Sequence, residues 1–365
     1  MKQSLLILTN NIGGLHSFRK EVMKALIDGG YKVYISEPDD DERVKYFESI
    51  GCHIIKTVFD RRSKNPFTDI KLMLKYRSLI KQLSPIAVLS YTIKPNIYGG
   101  IACRLTKTIQ LANVTGLGDA IENGGWLQWL TIGLYRFGLG KARWVFFQNS
   151  TNREFCVKHK IAGNNAVVLP GSGVNLKHHT VQDYPSDGCI RFLYIARLQR
   201  DKGVEEYFET ARAIKEKYGE AVEFQVLGWK EGDYEQEMDE LDRNDVVRYL
   251  GKTSDVRSYL KKVHCTIMPS YHEGMSNVNL ESAANGRPVI TTNVPGCQET
   301  VDDGKTGYLI EARSAHSLIE AVEKFIALPY DQKELMGQNG RKKVEKEFDR
   351  QIVVEAYLNV IESLS

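Results

Sequence analysis

Short apolar runs separated by amphipathic stretches recur from one end of the chain to the other, twice over. The first series places strands near 4–9, 31–36, 53–58, 86–90, 108–113, 143–148 and 166–169. Helical periodicity lies between them, as at 15–29, where Phe18, Val22, Ala25 and Leu26 share a face. The second series places strands near 190–195, 222–227, 264–268, 288–291 and 306–309, with helices at about 203–218, 233–242, 255–262 and 276–285. Three helices close the chain: 315–328, 331–347 and 350–364. Strands alternating with helices in this way form parallel α/β sheets. At 365 residues, two such domains are expected rather than one core. The Gly-, Pro-, Ser- and Asp-rich stretch from Pro170 to Gly188 reads as the linker. The predicted domains are therefore 1–184 and 185–349, with the apolar stripe Ile352, Val353, Ala356, Tyr357, Val360, Ile361 and Leu364 on the last helix.

The charge is uneven. Residues 1–185 carry 25 Lys and Arg against 14 Asp and Glu, a surplus of +11, while residues 186–365 carry 24 against 32, or −8. Between Arg43 and Lys107 there are 13 basic side chains and 3 acidic ones. Such asymmetry points to an anionic partner for the first half, either nucleic acid or a lipid surface. No RNA-binding motif or aromatic platform accompanies it, so nucleic acid is not expected. The six cysteines are far apart with no C-x-x-C, which argues against a disulfide framework or cysteine-rich zinc site and for a reducing cytoplasm. No secretory signal or uninterrupted membrane-spanning run is visible.

Several nucleotide and metal signatures fail on inspection. Gly304-Lys305-Thr306 and Gly251-Lys252-Thr253 resemble P-loop ends, but Glu299 and Val246 stand where the loop needs its first glycine. His272-Glu273 lacks the second histidine of a zinc helix. The run Asp39-Asp40-Asp41 offers a nominal metal-binding pair, but after a strand it reads better as a helix cap and solvated turn. No metal or other cofactor is expected.

Two constellations carry chemistry. In the first, the strand ending at Pro269 runs through Glu273-Gly274 into a helix from about Ser276 to Asn285, with Glu281 inside it. A helix N-terminus beyond a strand end offers free amides to a diphosphate. In the second, the strand ending at Ile195 runs through Arg197 and Lys202-Gly203 into another helix, placing two cations at one strand end. Each half alone is compatible with surface solvation; their combination in this order and spacing is not ordinary.

Arg197, Lys202-Gly203, Glu273 and Glu281 together resemble the signature of the retaining GT-B glycosyltransferases of family 4. The first half is similar to bacterial members that extend lipid-linked glycans for capsule, O-antigen or protein glycosylation. That similarity rests on Phe18-Arg19, the segment from Asp60 to Pro66, Thr92 to Asn96, and Thr115 to Gly118. The resemblance implies two Rossmann-like domains around a central cleft, with helix 350–365 crossing back to complete the first. It implies a retaining transfer from a nucleotide sugar, UDP-linked, to an undecaprenyl-diphosphate-linked acceptor.

The resemblance also implies residue roles. Arg197 and Lys202 would bind the diphosphate and stabilise its charge. Glu273 would orient the donor sugar beside Gly274, and Glu281 would accept the ribose hydroxyls. The amides of Ser276 and Asn277 would face the diphosphate or sugar, Gly14 would let the opposing backbone approach it, and the base would lie near Leu250 and Gly251. The acceptor diphosphate would meet Arg61, Arg62, Lys64 or Lys94. Thr115-Gly116 stands where many members have a histidine, which removes that candidate base and leaves open which group takes the acceptor proton, a phosphate oxygen of the leaving group being one alternative. Retaining glycosidases need their two carboxyls about 5 Å apart. Glu273 and Glu281, separated by a loop and two helical turns, should be on the order of 10 Å apart. Same-face transfer is therefore expected, with the cations and helix dipoles doing the work of a metal.

Trp126, Trp129, Leu130, Gly133, Leu134 and Phe137 recur at helical spacing, and Lys71 to Lys81 forms a basic amphipathic helix. The aromatic stripe fits either a core-facing helix or an interfacial one. Combined with the +11 half, a peripheral anchor on the anionic inner face of the cell membrane accounts for both. Two other functions share the fold: a nucleotide-sugar epimerase, which would need acid and base groups in the cleft, and a non-catalytic nucleotide-sugar-binding protein.

Overall fold

The computed structural model describes residues 3–38, 41–60, 65–117, 125–186, 188–230 and 232–364. The chain divides into two compact units, one of residues 1–172 and 351–365 and the other of residues 173–350.

The first unit is built on seven parallel strands: β1 Ser4–Leu8, β2 Lys32–Glu37, β3 His53–Lys56, β4 Ala87–Tyr91, β5 Ile109–Val114, β6 Trp144–Phe147 and β7 Ala166–Val168. Their order in the sheet is β3-β2-β1-β4-β5-β6-β7. Strands covered on both faces read as continuous apolar runs, as in Leu5 to Leu8, all fully buried. Alternate side chains serve opposite faces. Leu5, Ile7, Ala87, Leu89 and Leu111 pack with helix Ile12–Asp28 and with Val353, Val354, Tyr357 and Ile361 of helix Arg350–Glu362. The C-terminal stripe is thus buried in the first unit, except that Ile352 is exposed and Val354 fills its place. On the other face, Leu6, Leu8 and Val88 meet helix Pro66–Leu83 and the helix Gly100–Thr106, while Ala112, Val114, Val145 and Phe147 meet helix Gly125–Leu139.

The second unit has six parallel strands: β8 Ile190–Ile195, β9 Val222–Leu227, β10 Arg248–Tyr249, β11 Cys265–Met268, β12 Val289–Thr292 and β13 Gly307–Ile310. Their order is β10-β9-β8-β11-β12-β13. The units part at residue 172 rather than at the expected 184. The composition of 173–184 resembles a linker, but long-range bonds tie it to the second unit. Tyr184 donates to His264 O at 2.8 Å, Arg287 donates to Asp183 O at 2.6 Å, and Arg350 donates to Gly173 O at 3.0 Å.

Candidate active site

In an open parallel sheet the strand order reverses at one point, and loops leaving the two flanking strands diverge to form a crevice where ligands bind. In the second unit that point lies between β8 and β11. The two loops that leave these strands carry Arg197 and Lys202, and Glu273. The motif residues therefore flank one crevice, although 71 residues separate Lys202 from Glu273.

Lys202 is the last residue of a 3-10 turn, Arg200–Lys202, and Gly203 follows with φ +71°. A side chain at Gly203 would be strained there and would collide with Pro269 O, just past the end of β11. Glycine at this position lets the two loops touch. Tyr271 N then donates to Asp201 O at 2.9 Å, with Ser270 Oγ 3.2 Å from the same oxygen, fixing one loop to the other. Lys202 Nζ bonds Glu273 Oε1 at 2.8 Å, and Ser270 Oγ donates to the same oxygen at 3.1 Å. Both charged side chains are mostly shielded, at 16 and 19 % exposure, so the pair is preorganised in a low-dielectric setting. Arg197, two residues past β8, is exposed.

The carboxyl-side helix is Asn277–Ala284, with Ser276 as N-cap. Ser276 Oγ accepts from Asn279 N at 3.4 Å, while Ser276 N donates to Gly296 O at 2.7 Å. The Ser276 amide is thus already engaged and does not face the crevice as a free donor, contrary to the expectation. Asn277 remains at the first helical position, where amides lack an intrahelical acceptor. Gly296, at φ +84°, lies against Glu273 O, so a side chain there would displace the Glu273 backbone.

Glu281 sits one helical turn beyond the cap. It keeps a fringe of exposure, and no hydrogen bond reaches its carboxyl among the described residues. Burial pushes that carboxyl up to about 7, with the Arg350 charge opposing the shift and Asp255 adding to it. A desolvated acceptor without donors is suited to hydroxyl groups of a ligand. Leu250 N donates to Val226 O and Gly228 N to Gly251 O, both at 2.8 Å, while Leu198 N donates to Trp229 O at 2.9 Å. These bonds lace the loops after β8, β9 and β10 together, with Gly251 at φ +79°. Cys297 is buried and its thiol is pushed up to about 12, first by burial and then by the Glu273 charge, which makes it inert as a nucleophile.

The residues assigned to the acceptor and to Gly14 belong to the first unit. Its strand order reverses between β1 and β4. Gly14 lies in the first turn of helix Ile12–Asp28, where its amide donates to the Asn11 cap at 3.0 Å. Lys94 follows β4, but its Nζ is bonded to Asp69 at 2.8 Å and to Asp60 O at 3.0 Å, and Tyr98 also donates to Asp69. Its charge is neutralised from within the unit. Thr115 and Gly116 follow β5 and are half-buried. Arg61, Arg62 and Lys64 lie outside the described residues, as do Asp39, Asp40 and Gly118. Asp41 is paired with Arg43, whose hydrogen bond holds the carboxyl below its usual range. Among the described residues, no group of three or more His, Cys, Asp or Glu is arranged to hold a metal ion. The cysteines are free thiols.

Sequence reasoning did not find Ser270, which orients Glu273, or Gly296, which makes room for its backbone. Pro295-Gly296 was the only local signal, a turn dipeptide.

Residues 6–149 match the model for "Glycosyl transferase 4-like" and residues 182–343 match that for "Glycosyl transferases group 1". The chain belongs to the GT-B glycosyltransferases. The enzyme is 26 % identical over 95 % of both chains to the N,N'-diacetylbacillosaminyl-diphospho-undecaprenol alpha-1,3-N-acetylgalactosaminyltransferase of Campylobacter jejuni. It is 27 % identical, over 87 % of this chain and 86 % of the relative, to the capsular polysaccharide biosynthesis glycosyltransferase CapM of Staphylococcus aureus. Anabaena HepE in complex with UDP and glucose superposes with a TM-score of 0.80 at 14 % identity, covering 99 % of this glycosyltransferase and 100 % of HepE. Sucrose-phosphate synthase from Thermosynechococcus elongatus does so at 0.79 and 19 %, covering 100 and 99 %. At those identities the likeness is one of fold: two Rossmann-like domains. No helix among the described residues is long and apolar enough to cross a membrane.

Proposed function

We propose that this glycosyltransferase moves a sugar from a UDP-sugar to a polyprenyl-diphosphate-linked glycan, with retention at the anomeric carbon, in the assembly of a surface glycan. The observation that carries the reading is the Lys202–Glu273 pair across the β8/β11 crevice, one helix away from the donor-free Glu281 carboxyl. Lipid-linked substrates are supported by the Campylobacter relative, whose name specifies a diphospho-undecaprenol acceptor. UDP is supported by the HepE complex.

In this reading Arg197 and Lys202 hold the donor diphosphate, with the first amides of helix Asn277–Ala284 aimed at the same charge. Glu273, shared between Lys202 and Ser270, accepts hydroxyls of the transferred sugar and fixes its orientation. Glu281 accepts the ribose hydroxyls. As the bond from the anomeric carbon to the diphosphate oxygen lengthens, negative charge grows on the leaving phosphate and is met by cations already in place. The acceptor hydroxyl forms its bond on the face the phosphate leaves, and its proton passes to a phosphate oxygen. Arg197, Lys202 and the helix amides carry the charge without a metal ion.

A panel of UDP-sugars with a polyprenyl-diphosphate-linked glycan tests this directly. An α-linked product from an α-linked donor is expected in the NMR coupling pattern. A β-linkage would overturn retention, and turnover with free sugar acceptors alone would overturn the lipid-diphosphate assignment.

A further inference from the structure

The aromatic stripe of helix Gly125–Leu139 does not face the core. Trp126 is 77 % exposed and Trp129 66 %, with Leu130 and Phe137 also exposed, while Ile132, Tyr135 and Leu139 fill the interior. Helix Pro66–Leu83 repeats the arrangement, with Leu72, Tyr76 and Ile80 inward and Phe67, Ile70 and Leu74 outward. Both helices cover the same face of the sheet, and Gly100–Thr106 lies in that layer too, presenting an exposed Leu105. Arg104 lies 5.0 Å from the Phe137 ring, so the outer surfaces of these two helices meet. A soluble surface seldom leaves so many large apolar side chains in one layer.

The charges on this layer have one sign. Residues 70–118 contain no Asp or Glu at all. Lys71, Lys75 and Lys81 stand beside the apolar residues of their helix and are exposed, as are Arg104, Lys107 and Arg136. Asp69, the acidic residue of the first helix, is buried and bonded to Lys94.

We propose that this three-helix face of the first unit docks on an anionic lipid bilayer. Trp126, Trp129 and Phe67 enter the headgroup boundary, where amphipathic rings are favoured. The lysines lie along the apolar stems and reach anionic headgroups. A protein partner would have to bring acidic groups to match every cation, whereas an anionic membrane supplies them wherever the face lands. The inference extends the reading of a lipid-linked acceptor by naming the surface that meets the lipid, but its test needs no transfer.

The full-length protein is mixed with vesicles of phosphatidylglycerol and phosphatidylcholine, or of phosphatidylcholine alone, and the bound fraction is measured by sedimentation. Binding to the anionic vesicles at low salt is expected, with a blue shift in tryptophan emission, and at least tenfold weaker partitioning at high salt. Trp126→Ser with Trp129→Ser, and separately Lys71→Glu with Lys75→Glu, should each lower partitioning about tenfold or more. These side chains are exposed, so unchanged melting curves should accompany the loss. Turnover of a short-chain, water-soluble diphosphate acceptor should stay at the wild-type level. Equal binding to neutral and anionic vesicles would overturn the proposal, as would variants that bind like wild type. A dimer in solution that the tryptophan changes dissolve would assign the face to a second copy and overturn it too. Failure of the transfer reading would appear as absent turnover in the wild type, with the vesicle result untouched.

Discussion

The two strand-order reversals treat their charged residues in opposite ways. Beyond β8 and β11, a lysine and a glutamate from distant loops meet at 2.8 Å on the rim of a crevice, and a second glutamate lies desolvated with no donor among the described residues. Beyond β1 and β4, the lysine of the equivalent loop is turned into its own unit and bonded to Asp69. Thr92, which precedes it, holds φ +72° and donates to Asn10 at 2.8 Å across the reversal. A β-branched residue with that φ is strained, and the bond helps to hold it. One crevice has polar groups left for a ligand; the other uses its own to close the loops. Similar topology therefore does not imply similar chemistry, and the difference lies in where each cation finds its carboxylate.

The sharpest way to break this contrast is Lys202→Ala. If Lys202 meets growing phosphate charge, kcat should fall about 10²–10³-fold, as for other preorganised charge contacts. Thermal unfolding should also register a loss, because Glu273 keeps its charge in a shielded site without its partner, so kcat is read on protein that is still folded. Wild-type turnover would place Lys202 with the structural lysines.

Lys94→Met should lose stability without the loss of turnover. Removing one partner of a shielded pair leaves Asp69 uncompensated, at a cost of about 3 kcal/mol. Thermal unfolding should detect this loss, while KM for the acceptor stays within about threefold. A large rise in KM with unchanged stability would make Lys94 an acceptor ligand after all.

Glu281→Gln sharpens the comparison through pH. The folded carboxyl is pushed up to about 7 from an ordinary value near 4.5. Between those values the folded state holds the proton more tightly than the unfolded chain. Wild-type stability therefore falls as pH rises through this window and levels off above 7. The glutamine variant has no such titration. It should be more stable by on the order of 1–3 kcal/mol at pH 8, with the gain fading toward pH 5. Donor KM should rise about tenfold at pH 8, and wild-type donor affinity should weaken below pH 7 as the carboxylate is protonated. A pH-independent stability difference would remove Glu281 from the desolvated site.

The smallest expected effect is from EDTA. Transfer should be unchanged if the cations and helix amides do the charge work. Loss of activity restored by Mg²⁺ or Mn²⁺ would redirect attention to Asp39 and Asp40.

What could be read from the sequence follows the range of each interaction. Buried parallel strands such as Leu5 to Leu8 announce themselves because every residue is apolar, whereas β10, only Arg248 and Tyr249, has no run to detect. Helix Ile12–Asp28 starts earlier than periodicity suggests because the Asn11 side chain caps it, which outweighs two glycines in its first turn. The helix start at Ser276 and the place of Glu281 within that helix were legible from a strand, a loop and a cap in succession, but not that Gly296 takes up the Ser276 amide. The pairing of Lys202 with Glu273 was not, since it depends on β8 lying next to β11. Lys94 was read as a cation open to the acceptor diphosphate because its partner Asp69 lies 25 residues earlier. The aromatic stripe was legible as a stripe, but its periodicity alone could not say which side faced water.

The hydrogen bond from Tyr357 to Asn113 spans 244 residues. Polypeptides leave the ribosome from the amino end, so β1 to β7 emerge long before helix Arg350–Glu362. Until that helix arrives, one face of the first sheet, with Leu5, Ile7 and Leu111, lacks part of its cover. The second unit, a continuous segment from 173 to 350, has all its strands by then and can close first. The part of the enzyme made first is thus the last to be finished, since its sheet waits for helix Arg350–Glu362.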